Sequence, residues 1–253
     1  MTPLENAGRG IGAASNLRAV ILAGGKGTRL APFTASFPKP LVPLGNKPVL
    51  EVLIAWLHSH GITDITLTLG HLKALFRAYF AESSDLSASL RLRYVEESTP
   101  TGTAGSLATV PDLDETFLVM NGDLLTNLNL HELVAWHRAR GAAVTIAAHR
   151  RRVKVDLGVL DLDAAQDIVG YHEKPEHLHH VSMGVYVYEP HVLRYITSGQ
   201  YLDFPDLVHR LLAAGEKVSA FVNESLWLDI GRPDDYARAQ ELFAEKREEF
   251  ELV

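Results

Sequence analysis

The sequence predicts an α/β protein: a Rossmann-like, mostly parallel mixed sheet flanked by helices, with a strand-rich second half. Three observations predict it. The short apolar runs "RAVILAG" from Arg18 and "TFLVMNGD" from Thr116 read as strands buried on both faces. Segments of helical spacing alternate with such runs as far as Gly141, and repeated β-α-β implies parallel strands covered by helices on both sides. From Ala142 onward the helices give way to strands joined by short turns, the mark of a mixed, partly antiparallel extension.

The elements follow in order. After the first strand, "PVLEVLIAWLHSHG" is a helix, with Pro48 suited to its first turn and Gly61 to its stop. "DITLTLG" is a strand, "HLKALFRAYF" a second helix and "LRLRYVE" a third strand. Ala104 to Val110 reads as a short helix after a glycine turn, and "TFLVMNGD" ends a buried strand on Asp123. "LHELVAWHRARG" has helical spacing, an asparagine at its entry and Gly141 at its exit. "AAVTIAAH", "LGVLDLD", "DIVGYHEK" and "VSMGVYVYE" are the strands of the second half; "PHVLRYITSG", "DFPDLVHRLLAAG" and "RPDDYARAQELFAEKREEF" are its helices.

Composition narrows the function classes. The chain of 253 residues, 47% hydrophobic and 22% charged, suits one globular domain with a large core. No cysteine is present, which excludes disulfides, thiolate metal sites and cysteine nucleophiles and fits a reducing cytoplasm. The net charge of −7 argues against a general nucleic-acid partner, and no apolar run has the length of a membrane span. Met1 to Asn16 has no apolar signal core and reads as a flexible tail before a single domain over 17–253. His172, His177, His179 and His180 lack the helical spacing of a zinc motif and read as a solvated loop.

The chemistry concentrates first in "AVILAGGKGTRLAPFTASFPKPLVPL", which starts at Ala19. Lys26 and Gly27 fail the P-loop spacing, and Leu30 stands where a dinucleotide fingerprint needs its third glycine, so a nicotinamide-dependent dehydrogenase is disfavoured. The logic of a phosphate cradle remains. Gly24, Gly25 and Gly27 let backbone N–H groups converge on phosphate oxygens. Pro32 blocks a long helix, which leaves Arg29 on a loop beside them, and Lys39 between Pro38 and Pro40 is expected on a stiff extended segment.

As a whole this stretch resembles the signature of the sugar-1-phosphate nucleotidyltransferases, L-A-G-G-x-G-T-R-L-x-P-x-T followed by P-K-P. The chain carries it as Leu22, Ala23, Gly24, Gly25, Gly27, Thr28, Arg29, Leu30, Pro32, Thr34 and Pro38–Lys39–Pro40. The resemblance covers the chain beyond residue 16 and implies the nucleotide-diphospho-sugar transferase fold. It implies a nucleotide half over about 17–125, a sugar half over about 126–235 and a terminal helix over about 233–249. It implies that Gly102 and Thr103 in "TPTGTAGSL" lie against base and ribose, and that Asp123 and Asp229 bind catalytic Mg²⁺. Glu173 of "EKP" would meet sugar hydroxyls and Lys174 the sugar phosphate, with Gly158 beside the sugar. Ser182 stands where the family commonly has a sugar-touching asparagine, and Arg232 replaces a threonine in G-T-P.

The implied reaction joins an NTP and a sugar 1-phosphate to give an NDP-sugar and pyrophosphate. Arg29 would face the leaving pyrophosphate, with Lys39 near the α/β-phosphates. In look the chain is most similar to bacterial mannose- or heptose-1-phosphate guanylyltransferase-like members. Uridylyl and thymidylyl relatives share most motifs, and a catalytically silent sugar-nucleotide-sensing subunit is the rival from another class. No hexapeptide repeat follows Asp229, so an acyltransferase extension is not expected; a homo-oligomer is left open.

Overall fold

The computed structural model describes residues 17–82 and 90–250, so the segment read as a tail lies outside the described residues. β1 (Arg18–Leu22) leads through three short 3₁₀ turns and the hairpin β2 (Pro43–Leu44) and β3 (Lys47–Pro48) into α1 (Val49–Ser59). Next come β4 (Asp64–Leu69), α2 (Lys73–Glu82), β5 (Arg91–Glu96), the single-turn α3 (Gly102–Gly105), β6 (Phe117–Asn121), β7 (Leu124–Thr126) and α4 (Leu130–Arg140). The second half runs β8 (Val144–Lys154), β9 (Gly158–Leu162), β10 (Ile168–Glu173), β11 (Glu176–Tyr188), α5 (Phe204–Ala213), β12 (Val218–Asn223), β13 (Trp227–Asp229), α6 (Pro233–Glu245) and α7 (Arg247–Phe250).

Seven strands form the main sheet in the order β12-β8-β11-β6-β1-β4-β5. β1 takes the interior because Ala19, Val20 and Ile21 can be buried completely at no polar cost. Ala19 and Ile21 point to one face, where α1, α2 and α4 supply Leu50, Phe76 and Leu133; Val20 points to the other, with Leu207 and Leu211 of α5. β1 pairs in parallel with β4 and β6, and β4 with β5; β11 is antiparallel to both β6 and β8. The sheet is therefore mostly parallel and mixed, as the sequence predicts.

The chain leaves β1 toward β4 and β5, then returns to the other side of β1 as β6. Such a reversal opens a crevice at the carboxyl ends of the two strands. Register places Leu22, the last residue of β1, opposite Asn121, the last of β6. The Gly122 N–H donates to the Leu22 carbonyl at 3.0 Å, so the glycine loop and Asp123 emerge side by side.

Three expectations change. The histidines read as a solvated loop lie on strands: His177, His179 and His180 on β11 and His172 on β10. Their strands carry polar groups on both exposed faces, so alternation gives no signal. "PHVLRYITSG" forms a 3₁₀ segment over Pro190–Tyr195 and not a full helix. Lys39 opens a 3₁₀ turn, Lys39–Leu41, with only Pro38 extended before it: Pro40 falls inside that turn, where its missing N–H costs nothing.

Candidate active site

The crevice is a cavity of about 410 Å³ lined by Leu22, Ala23, Gly24, Gly25, Gly27, Thr28, Arg29 and Lys39 from the first loop. Gly102, Thr103, Asn121, Asp123 and Gly231 complete it, with Pro40, Pro100 and Ser106 of the quoted motifs and with residues outside them: Thr68, Glu97, Tyr201 and Asp203. The loop requires glycine at one of these positions and leaves another open. Gly27 has φ +61°, and a Cβ there would stand 2.8 Å from Cβ of Lys39. Gly25 meets nothing within 4 Å, so its bare backbone faces open space. The Gly27 carbonyl accepts from the Leu30 N–H (2.9 Å) and the Thr34 hydroxyl (2.8 Å), which folds the loop back before the Lys39 turn.

Asp123 and Asp229 meet through the ladder between β7 and β13. Leu124 pairs with Asp229, and the Ile230 N–H donates to the Asp123 carbonyl at 3.0 Å. Between the two carboxylates lies the Lys39 ammonium. It is ion-paired with Asp123 Oδ2 and stands 3.8 Å from Asp229 Oδ1, on a side chain only 8% exposed. Burial holds the Asp229 carboxyl above the ordinary aspartate value and the Asp123 charge pushes it the same way, against Lys39 and Arg29. Arg29 is exposed and makes no hydrogen bond or ion pair within 4 Å among the described residues. Support comes from α6: the Tyr236 hydroxyl (2.7 Å) and the Gln240 amide (2.9 Å) donate to the Pro43 carbonyl, just beyond the Lys39 turn.

These residues fit a hard divalent cation. Asp123 Oδ1 is buried without a hydrogen-bond partner, and one lysine faces two carboxylates. Among the described residues no cluster of three or more His, Asp or Glu side chains could cage a metal alone. Two carboxylates suffice for Mg²⁺, which takes its other oxygens from phosphate and water.

The α3 region is tied to the segment before α5, where the Ala104 and Gly105 N–H groups donate to the Leu202 carbonyl. Gly102 has φ +81°, and a Cβ there would come 2.5 Å from the Leu202 carbonyl oxygen. Its lack of a side chain therefore admits this chain's own backbone. The Thr103 hydroxyl accepts from the Phe204 N–H (2.8 Å) and donates to Asp203 Oδ1 (3.3 Å), so it caps α5. Asp203 spends its other oxygen on the Tyr201 hydroxyl at 2.7 Å.

Residues expected around the sugar divide into two groups. Ser182 is tied to the sheet interior: its hydroxyl bonds Tyr186, whose phenol is held above its ordinary value by burial and also by the Asp123 charge. Gly184 sits at φ +74° against the Asn121 amide. Gly158 and Glu173 instead pair with each other on the β9–β10 hairpin, and Gly158 makes room for the Tyr171 ring. Lys174 follows at φ 46°, more than half exposed and 3.8 Å from Glu173. None of Gly158, Glu173, Lys174 or Ser182 lines the cavity.

Known proteins resemble this chain in sequence and fold. The chain is 35% identical to mannose-1-phosphate guanylyltransferase of Mycobacterium tuberculosis over 226 residues, 87% of this chain and 62% of that protein. It is 34% identical to UTP–glucose-1-phosphate uridylyltransferase of Synechocystis sp., over 88% of this chain and 62% of that one. The chain thus spans about three fifths of the length of these curated relatives. Among solved structures, HddC from Yersinia pseudotuberculosis superposes with a TM-score of 0.70 at 25% identity, covering 90% of this chain and 99% of that one. The same protein complexed with GMP-PN gives 0.67. Residues 18–246 match the nucleotidyl transferase family as a whole, and the chain belongs to that family.

Proposed function

We propose that the protein transfers a nucleotidyl group, guanylyl in first preference, from an NTP to a mannose- or heptose-type sugar 1-phosphate and releases pyrophosphate. The observation that carries this reading is the Asp123–Lys39–Asp229 cluster at the mouth of a glycine-lined cavity on the sheet's reversal point. The guanylyl preference is supported by the mannose-1-phosphate guanylyltransferase relative and by the GMP-PN complex of HddC. The Synechocystis relative, a uridylyltransferase at nearly equal identity, supports uridylyl transfer as the second reading.

Each residue then has a task. Gly24, Gly25 and Gly27 admit the triphosphate to backbone N–H groups, where a β-branched or larger side chain would block approach. Arg29, which makes no hydrogen bond or ion pair among the described residues, offers its planar guanidinium to the departing pyrophosphate. Lys39 holds the two carboxylates together and lends its charge to the phosphates beside them. Asp123 and Asp229 would hold Mg²⁺, which supplies charge neutralisation and alignment at the reacting phosphates. No general base is required, because the attacking phosphate oxygen is already ionised; positioning carries the rate. Lys174 and Glu173 are the acceptor-side candidates, and Ser182 is the candidate for setting sugar choice. The need for cellular NTP places the reaction in the cytoplasm, and among the described residues no helix is long and apolar enough to cross a membrane.

A matrix of NTPs against sugar 1-phosphates, followed by pyrophosphate release, tests the proposal. One pair should stand out. Silence across the matrix, with nucleotide binding intact, would favour a sensing subunit.

A further inference from the structure

The Asp123–Lys39–Asp229 cluster is assembled on a third, small core, apart from the two on the faces of the main sheet. Leu44 joins it from the hairpin after Lys39, Leu125 from β7 after Asp123, and Leu228 and Ile230 from either side of Asp229. Phe243 of α6 packs into the same core. α6 starts at Pro233, shortly after Asp229, so one helix is linked at its head to that carboxylate. Further along it, Tyr236 and Gln240 stand at i and i+4 on one face. Their polar atoms converge on the hairpin. The Gln240 amide donates to the Pro43 carbonyl (2.9 Å) and to the Tyr236 oxygen (2.7 Å), and the Tyr236 hydroxyl donates to the same carbonyl (2.7 Å). The Gly45 N–H donates to Gln240 Oε1 at 2.9 Å. Gly45 has φ +62°, and a Cβ there would stand 3.0 Å from the Phe243 ring. With two residues per strand, β2 and β3 are too short to hold a position alone, so α6 seats them. Pro38, Pro40 and Pro43 leave the stretch between Lys39 and the hairpin few conformations, and the Val42 N–H closes the turn on the Lys39 carbonyl (3.1 Å). A displacement of the hairpin is therefore passed on to the ammonium.

We infer that Tyr236 and Gln240 are positioning residues: through Pro43 and Gly45 they set the Lys39 ammonium against the carboxylate at the head of their own helix. This rests on the nucleotidyl-transfer reading and deepens it. α6 acts as a ruler between Lys39 Nζ and Asp229 Oδ1, which stand 3.8 Å apart. Asp123 grips the ammonium directly, so the Lys39–Asp123 pair survives a small shift of the arm, whereas the longer Lys39–Asp229 contact does not. On a side chain only 8% exposed, the attraction falls with distance more steeply than it would in water. Hydrogen bonds to a backbone carbonyl and N–H are directional, so they fix the place of the arm where apolar packing alone would let it slide. Undoing the brace has two consequences. Asp229 loses part of its compensating charge, so a divalent cation meets less competition there. The cation meant for the α/β-phosphates is also out of place during transfer.

A double-mutant cycle tests this. Melting temperatures of the wild type, Gln240→Leu, Lys39→Met and the double variant are measured with and without Mg²⁺, and kcat and KM in parallel. Gln240→Leu keeps most of the bulk and deletes the amide. The brace predicts that the Mg²⁺-induced rise in Gln240→Leu exceeds that of the wild type. In the Lys39→Met background the same substitution should leave the rise unaltered, because the brace acts through the lysine. Turnover should fall about 10- to 100-fold in kcat, the cost of a misplacement near 1 Å, with KM for the sugar 1-phosphate unchanged. A brace that only adds stability predicts a lower melting temperature with the wild-type Mg²⁺ rise and the wild-type kcat, and that result overturns the inference. A gain that adds in full to that of Lys39→Met overturns it as well. Should Gln240→Leu melt too early to measure, Tyr236→Phe removes one hydroxyl and predicts a smaller change in the same direction; a Mg²⁺ rise equal to the wild type there overturns the inference too. If the cycle is non-additive while no NTP–sugar pair turns over, the positioning role stands and the transfer reading falls.

Discussion

The nucleotide side and the outer ribbon of the second half are made of similar amounts of strand, yet they are held in opposite ways. Around the cavity, β1, β4 and β6 are sealed by helices on both faces, and each loop inherits its place from a strand that cannot shift register. The ribbon starts from the same sheet. Over Val144–Ala148 β8 is largely buried, but beyond Arg150 it is exposed, and β11 pairs with it out to Glu176. At the tip, Leu160, Leu162, Ile168 and Tyr171 are each 46–63% exposed. A two-stranded hairpin has no independent stability in water. The contrast teaches that buried strand ends fix the loops they carry, whereas the hairpin bearing Glu173 and Lys174 rests on its own ladder and on the bond from the Val155 N–H to the Pro175 carbonyl at its base.

The sharpest test of the nucleotide side is removal of charge at its centre. Asp123→Asn keeps size and removes one of two converging carboxylates. Turnover should fall by about 10³-fold or more, the scale seen when a preorganised electrostatic contact is lost. Near-normal pyrophosphate release from this variant would show that the cluster does not organise the reaction. Lys174→Ala gives the matching test of the hairpin. If its loss approaches that of Asp123→Asn, the tip closes onto the cavity during the reaction.

Packing should show the same asymmetry. Ile21→Ala, on a wholly buried side chain in β1, should cost about 2–5 kcal/mol through lost transfer energy and a cavity. Ile168→Ala, at 63% exposure on the hairpin, should stay within about 0.5 kcal/mol. Denaturant midpoints of the two variants measure both. A loss above 1.5 kcal/mol at Ile168 would mean that the tip is covered in solution, and sedimentation would then show a self-associated species.

What could be read from the sequence follows the same division. The order of strands and helices through Gly141 was legible because burial on both faces leaves unbroken apolar runs and each helix carries its own stop signals. Asn129 does accept from the N–H groups of His131 and Glu132, and Gly141 is left-handed. Arg29, Lys39 and Asp123 were visible as a motif, but their mutual geometry was not. Asp229 joins Asp123 only through β7 and β13, three residues each, too short to announce themselves as strands. Asp203 was invisible because its contact with Thr103 is made across the fold, 100 residues away in the sequence. The long exposed pairing of β8 with β11 was hidden because "HRRRVK" and "EHLHHV" show no alternation of apolar and polar residues.

Lys39 tests whether the cluster is a structural pair or a binding device. Lys39→Met preserves the stem and leaves two neighbouring carboxylates uncompensated. The penalty for a fully buried pair is about 3–5 kcal/mol, and partial exposure of Asp123 (21%) and Asp229 (42%) reduces it to roughly half that. Thermal unfolding with and without Mg²⁺ decides the question. A binding device predicts that Mg²⁺ raises the melting temperature of Lys39→Met more than that of the wild type, since the ion takes over the missing charge.

The smallest predicted effect probes where the ribbon is anchored. His137 of α4 is 1% exposed, with Nδ1 2.8 Å from the Thr145 hydroxyl and Nε2 3.0 Å from Glu189 Oε1. Glu189 also accepts from the Thr116 hydroxyl at 2.9 Å, so one network ties α4 to the inner ends of β8, β11 and β6. Burial holds the imidazole below its ordinary value of 6.5, and Glu189 offsets this in part. The folded value therefore lies under the unfolded one. Above pH 6.5 both states are neutral and the contribution is complete; as pH falls below 6.5 the unfolded chain takes up a proton that the folded chain resists, and stability is lost. The slope from this group cannot exceed about 1.4 kcal/mol per pH unit. His137→Gln retains a donor and an acceptor but does not titrate, so the difference in unfolding free energy between variant and wild type should shrink as pH drops from 7 to 5. A difference that grows as pH drops would mean that the histidine is held charged in the folded protein, and that the inner end of the ribbon is held by an ion pair with Glu189.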